Sequence, residues 1–235
     1  MKRSPLAVAA AVIALGMTVS LAACEGQIPT VSAPTESASA NPDLTEDQEQ
    51  EMREALLKTI EDCNEQKNPA NLGQAMSGPE LEIRTSELQV AQKTGKLDPK
   101  TTIPTDITQT VIPTDNGWPR SVFSITTTTE DQQSKRLLVF DQESARQNYK
   151  LWGVARLFQG VQMPKFTVPQ IGAQMGADND DNLKMTPKEA VKRYADVLQN
   201  GDKSQYVGDF DNDYLRQELA TLSQTVQQGM ERNKG

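Results

Sequence analysis

Histidine is absent from the 235-residue chain. Its absence removes the side chain that titrates near neutral pH, the commonest zinc ligand, and every Ser-His or Cys-His nucleophile pair. An enzyme built on this chain has to use carboxylates, lysine, tyrosine or a borrowed cofactor. Cysteine is scarce as well, with two residues, Cys24 and Cys63. There is no CxxC pair, no Gly-rich phosphate loop and no Gly-x-Ser-x-Gly elbow, so no cofactor and no metal are expected. Basic residues are outnumbered, 24 Lys and Arg against 32 Asp and Glu, for a net charge of −8. An acidic surface repels phosphate backbones and lacks the cations that release DNA counterions, which argues against a nucleic-acid partner. The charges are interspersed rather than blocked, as on a solubilising surface.

What the chain does have begins at its N-terminus. Lys2 and Arg3 precede an uncharged apolar run from Leu6 to Leu21, too short for a membrane span of about 20 residues and flanked like a signal peptide. The run ends in Leu21-Ala22-Ala23-Cys24, which resembles a bacterial lipobox. Small residues at Ala22 and Ala23 give a peptidase access to the backbone, and only a thiol at the next position can form a thioether. The resemblance implies cleavage before Cys24, diacylglycerol on its sulfur, palmitate incorporation and a location on the extracytoplasmic face of the cell membrane. Each buried methylene contributes about 0.8 kcal/mol, so several acyl chains hold a protein on the bilayer without a spanning helix. Loss of residues 1–23 takes away Lys2 and Arg3 and no acid, leaving 22 basic against 32 acidic side chains and a charge of −10. Acylation of Cys24 also leaves Cys63 without an internal disulfide partner. Cys63 shares a helical stripe with Met52, Leu56 and Ile60, where a buried, inert thiol is expected.

Residues 24–43 are rich in Pro, Ser, Thr and Ala and bury too little to fold, so they read as a tether with a reach of roughly 20 to 25 Å. The first helix is expected to open at Thr45 with Gln48 completing a capping box, and to end at Asn68-Pro69. Beyond Gly78-Pro79, Leu81 and Ile83 alternate with polar residues as in a strand, and the stretch on to Val90 is open between strand and short helix. Four strands follow: Asp106 to Ile112, Ser121 to Thr129, Arg136 to Phe140, and Asn148 to Phe158. Asp115-Asn116-Gly117 supplies a hairpin turn between the first two. The predicted fold is α+β, an N-terminal helix packed on a curved antiparallel sheet over residues 44–172, then a linker at 173–185 and a helical segment at 186–235. Thr186-Pro187-Lys188-Glu189 opens the first helix of that segment, and Leu215, Leu219, Leu222 and Val226 of a last helix are expected to face inward. Whether the segment is a truncated second repeat or a complete appended hairpin is left open by the sequence.

In the fourth strand, period-two alternation places Tyr149, Leu151, Gly153, Ala155 and Leu157 on one face, toward the helix. Lys150, Trp152, Val154, Arg156 and Phe158 share the other, as a docking surface or a pocket wall. If the sheet curls, Arg84, Arg136, Tyr149 and Arg156 can converge on an anionic ligand, with Trp152 beside them. Glu80, Glu82 and Asp141 are the carboxylates available for acid-base work, with nothing in the sequence to pair two of them across a cleft. Asp178, Asp180, Asn182 and Glu189 have EF-hand-like spacing, but Leu183 stands where Gly is required and Pro187 interrupts the loop, so calcium is not expected.

Tyr149 to Phe158, continuing through Gly160 to Met163-Pro164, together with the turn Gly117-Trp118-Pro119-Arg120, resembles segments of uncharacterised actinobacterial envelope lipoproteins. The resemblance extends loosely over residues 45–215 and implies an envelope lipoprotein without supplying a catalytic residue. The expected helix and curled sheet also resemble the cystatin or NTF2-like class in shape. Two functions follow as expectations. One is a non-catalytic binding or structural module, anchored through Cys24, with an envelope protein or glycan as partner. The other is a carboxylate-dependent enzyme or small-ligand-processing domain with an NTF2-like pocket. Two buried acids with convergent basic groups favour the second, and a filled or flat sheet face favours the first.

Overall fold

A computed structural model describes residues 41–114, 117–128, 134–161 and 163–232. Residues 1–23, Cys24, most of the tether, Asp115-Asn116 of the expected turn and residues 129–133 lie outside the described residues. Among the described residues no helix is long and apolar enough to cross a membrane.

The fold is α+β. Helix α1 spans Glu46–Gln66, a short α2 spans Leu72–Ala75 and α3 spans Gly78–Thr94. Strands β1 (Ile107–Val111), β2 (Arg120–Thr126), β3 (Arg136–Gln142) and β4 (Lys150–Arg156) follow as an antiparallel meander in sequence order. The predicted capping box is present: the Gln48 amide donates to Thr45 Oγ1 at 3.2 Å and the Thr45 amide to Gln48 Oε1 at 3.0 Å. Ahead of it, the Asp43 amide donates to the Pro113 carbonyl at 2.8 Å and its carboxylate pairs with Arg120 at 3.5 Å, so the chain is joined to the sheet before α1 begins.

Leu57, Ile60 and Cys63 of α1 meet Leu72, Met76 and Leu88 and the sheet residues Val122, Leu138, Phe140 and Leu151 in one core. Burial pushes the Cys63 thiol up. The helices also bury charge. Glu49 is 1 % exposed and accepts from Arg53 Nε at 2.9 Å and from Ser124 Oγ of β2 at 2.7 Å, while Arg53 Nη1 donates to the Thr105 carbonyl at 3.1 Å. These contacts satisfy groups that burial alone would make costly.

Residues 78–94 form a helix, not the strand suggested by Leu81 and Ile83. Pro79 stands in its first turn, where a missing amide costs nothing. Its buried positions are Glu80, Arg84, Leu88 and Ala91. Two of these four are charged, so the apolar pattern alone hides the helical period.

β4 also departs from simple alternation. Phe140 faces Leu151 and Val139 faces Gly153, which leaves Trp152 as the extra residue of a β-bulge. Beyond it, Val154 pairs with Leu138 and Arg156 with Arg136. Leu138 and Phe140 are core residues, and directly opposed residues share a sheet face. Val154 and Arg156 therefore lie on the helix-covered side with Leu151, contrary to the expected faces, and Gly153 and Ala155 do not.

The Trp152 indole sits over Gly78, whose φ is +53°. A Cβ at Gly78 is only 2.5 Å from Trp152 Nε1. The Ser77 amide donates to the Leu151 carbonyl at 3.0 Å, so the start of α3 is held directly against the bulge.

After β4 the chain returns to the sheet, where the Ala173 amide donates to the Ile112 carbonyl at 2.8 Å. Helices α4 (Pro187–Asn200) and α5 (Tyr214–Arg232) complete the chain. The Glu189 amide donates to Thr186 Oγ1, but the Glu189 carboxylate accepts from Arg193 Nε at 2.9 Å, so only half of the second capping box forms. Tyr194 donates to Asp213 at 2.7 Å and packs edge-on to Phe210. Leu219, Leu222 and Val226 do not face inward: they are 43 %, 58 % and 52 % exposed. Amphipathic spacing marks the apolar side of a helix but not what covers it.

Gly78→Ala is expected to lower stability by about 1–3 kcal/mol, because alanine is strained at positive φ and its methyl displaces Trp152. Urea unfolding followed by tryptophan fluorescence measures it, and Gly73→Ala, where a Cβ meets nothing within 4 Å, is the control.

Candidate functional site

The inner face of β3 runs Phe140, Leu138, Arg136, so the apolar core gives way to charge at one end of the sheet. There α3, the connection after it and the ends of β3 and β4 enclose a cleft of about 290 Å³. Glu80, Ile83, Arg84 and Glu87 line it from α3, Asp98, Lys100 and Thr101 from the connection, and Arg136, Val154 and Arg156 from the sheet. A shallower hollow of about 700 Å³ adjoins it across Glu87, Asp98 and Thr101.

Two arginines build the walls. Arg84, 2 % exposed, donates from Nη2 to the Thr101 carbonyl at 2.8 Å and from Nη1 to Asn64 Oδ1 at 3.3 Å, and its Nε lies 3.2 Å from Glu87. Arg136, equally buried, donates from Nη1 to the Ser134 carbonyl and hydroxyl and from Nη2 to the Lys100 carbonyl at 3.3 Å. Neighbouring carbonyls of one connection are thus clamped from a helix and from a strand. The Lys100 amide donates to Asp98 Oδ1 at 2.9 Å, which shapes the 3₁₀ turn Pro99–Thr101.

Arg156 and Lys100 differ from these two. Both side chains are exposed at the cleft and make no hydrogen bond or ion pair among the described residues. The acids lie deeper. Burial pushes the Glu80 carboxyl up from its ordinary value, against the pull of Arg84 and a hydrogen bond from the Val154 backbone. Glu87 is raised for the same reason, again opposed by Arg84. The cleft therefore presents two cations and the exposed Asp98 at its mouth, over two carboxyls that hold their protons more readily than exposed ones.

Of the residues singled out in the sequence, Arg84, Arg136 and Arg156 come together here. Tyr149 and Trp152 do not: Tyr149 is buried in the apolar core and Trp152 packs on Gly78. Asp141 accepts from Ser121 Oγ at 2.7 Å and Glu82 is exposed on α3, which leaves Glu80 as the one suggested carboxylate in the cleft. Glu87 and Lys100 were not anticipated. Glu87 follows Arg84 by three residues and Glu80 by seven, a helical spacing visible only once residues 78–94 are read as a helix. Among the described residues no group of three or more His, Cys, Asp or Glu is placed to hold a metal.

Fold and site define an α+β domain with a helix-backed antiparallel meander that closes at one end on an arginine–glutamate cleft. The chain belongs to the family described as "Domain of unknown function (DUF8094)", whose model matches residues 40–232. No curated protein and no solved structure matches it.

A carboxyl whose pKa is raised on folding binds more protons folded than unfolded between its two pKa values, so its contribution to stability falls as pH rises through that window. Glu80→Gln is therefore expected to flatten the decline in stability above about pH 4.5. Urea midpoints of both proteins from pH 4 to 7 measure it, and parallel curves refute the raised Glu80 carboxyl.

Proposed function

We propose that the protein is a lipid-anchored module of the cell envelope, held on the extracytoplasmic face of the membrane through diacylglycerol on Cys24. It binds an anionic partner at the α3–β4 cleft rather than transforming it. The lipobox at Leu21 to Cys24, the Pro/Ser/Thr-rich tether and the resemblance to envelope lipoproteins support the location. One contrast carries the binding reading: Arg84 and Arg136 are engaged by carbonyls of their own chain, whereas Arg156 and Lys100 stand at the same cleft unengaged. Fixed walls and unengaged cations make a preformed receptor for a carboxylate, which arginine meets with paired donors. An acidic envelope glycan supplies such groups.

The raised carboxyls of Glu80 and Glu87 favour a second reading, a carboxylate-dependent enzyme. The ion pair of Glu87 with Arg84 weighs against it, because it ties one of the two acids to the wall.

Two experiments test these proposals. Cys24→Ala is expected to abolish palmitate labelling in the producing cell and release the protein from the membrane fraction. Unchanged labelling removes the anchor. Arg156→Ala is expected to weaken binding of a uronic-acid oligosaccharide by about 10- to 100-fold, the loss of a charged hydrogen bond, with no effect on a neutral oligosaccharide of equal length. Calorimetry on both proteins measures it. Equal affinities refute the site, and wild-type turnover of the sugar that Glu80→Gln abolishes selects the enzyme.

A further inference from the structure

Helix α5 has no buried residue among its nineteen, and Leu219, Leu222 and Val226 among its exposed large apolar groups lie along one line, with Met230 beside its end. Leu215, Leu219, Leu222, Val226 and Gly229 follow one another at spacings of four and three, the a/d pattern of a helix that packs lengthwise against another helix. The helix is also set firmly at its start. Asp213 accepts from the Arg216 amide at 3.1 Å, and the Tyr214 ring stacks on Phe158 with centroids 6.1 Å apart. The stripe is thus presented in a fixed direction from the body of the protein.

We propose that α5 pairs with α5 of a second copy of this chain, antiparallel and about a two-fold axis near Gln224. Charge selects the occupant. The chain as a whole carries −8, yet Tyr214–Arg232 holds two arginines and two glutamates, Arg216, Glu218, Glu231 and Arg232, and is neutral. This helix can therefore meet its own copy without the repulsion that opposes contact between acidic surfaces.

Charge also selects the direction. With Leu222 opposite Val226 of the second copy, Leu219 meets Gly229, and Glu218 flanks the seam beside Arg232 of the second copy, twice by symmetry. Arg216 flanks the other side of the seam, beside Met230 of the second copy and level with its Arg232. A parallel pair sets Glu218 beside Ser223 and Thr225 beside Met230 of the second copy, with no charge of the helix meeting its opposite. The antiparallel arrangement also opposes the two helix dipoles. A lipid surface is the poorer occupant, because helices that lie on membranes carry Lys and Arg along the polar face, and here glutamine and threonine fill it.

Nineteen residues extend about 28 Å at 1.5 Å each. Such a pair presents less surface than the ~800 Å² per partner of a standard interface, so the dimer is reversible.

Sedimentation velocity on the full chain in density-matched detergent is expected to show a monomer–dimer equilibrium. Leu222→Glu with Val226→Glu abolishes the dimer and leaves the unfolding transition of the sheet domain in place. Glu218→Arg weakens association and Glu218→Arg with Arg232→Glu restores it, which separates pairing from a folding defect. In a Cys24→Ala background, Thr225→Cys forms an intermolecular disulfide across the axis and Leu219→Cys does not, since the two Leu219 positions are then about 15 Å apart along the helices. A monomer at every concentration to about 100 µM, well above a micromolar Kd, overturns the proposal. Cross-linking through Leu219→Cys in place of Thr225→Cys overturns it as well. So does co-sedimentation with anionic vesicles that Leu222→Glu abolishes, which assigns the stripe to lipid.

Discussion

The extra residue at Trp152 sets the face of everything after it in β4. A strand alternates sides with a period of two, so one unpaired residue transfers each later side chain to the opposite face. Without the bulge, Val154 leaves the core and Arg156 points away from Arg136. With it, Leu151 and Val154 both pack inward and the two arginines stand opposite each other at the end of the sheet. The bulge is held from the other side by the start of α3, where Gly78 leaves room for the indole and the Ser77 amide reaches the Leu151 carbonyl. One local irregularity thereby orients a strand and positions the helix that brings Glu80, Arg84 and Glu87 to the same place.

A second constraint repeats in α1 and α3. Each places a glutamate and, four residues later, an arginine on its buried side: Glu49 with Arg53, and Glu80 with Arg84. The local spacing is the same but the outcomes differ. Glu49 is bonded to Arg53 and Ser124, and its pair joins α1 to β2 and to the segment before β1. Arg84 instead turns to Asn64, Thr101 and Glu87, which leaves Glu80 with the Val154 backbone and a raised proton affinity. The first pair is structural cement, and the second is half cement and half an available acid. That difference, rather than residue type, leaves a carboxyl of raised proton affinity at the α3–β4 end of the sheet.

Much of the architecture was legible in the residues. Thr45 and Gln48 announced the first helix because a capping box is a local motif, and the four strands followed from alternation and turn residues with ends displaced by at most three positions. The sequence leaves α3 open between strand and short helix because its buried stripe contains charge, and a reading of apolar periodicity cannot see a buried glutamate whose partner lies elsewhere in the fold. Three of the five suspected cleft residues converge. Tyr149 and Trp152 fail to join them because one fills the core and the other serves as the bulge. The apolar stripe of α5 was recognised, while its exposure was not, since spacing along a helix carries no information about the neighbouring surface.

The sequence by itself determined the local and compositional facts: no histidine, an acidic charge, a lipobox-like N-terminus, capped helices, a meander of four strands and an α+β class. All of these rest on interactions within a few residues of the chain or on simple counts. Tertiary structure decided which side of β4 faces the helices, which arginines are engaged and which remain available, and where a carboxyl is buried enough to keep its proton. Those properties depend on register and on desolvation by distant segments. A one-residue shift in strand pairing, or one arginine choosing a carbonyl over a glutamate, changes them without altering any pattern visible along the chain.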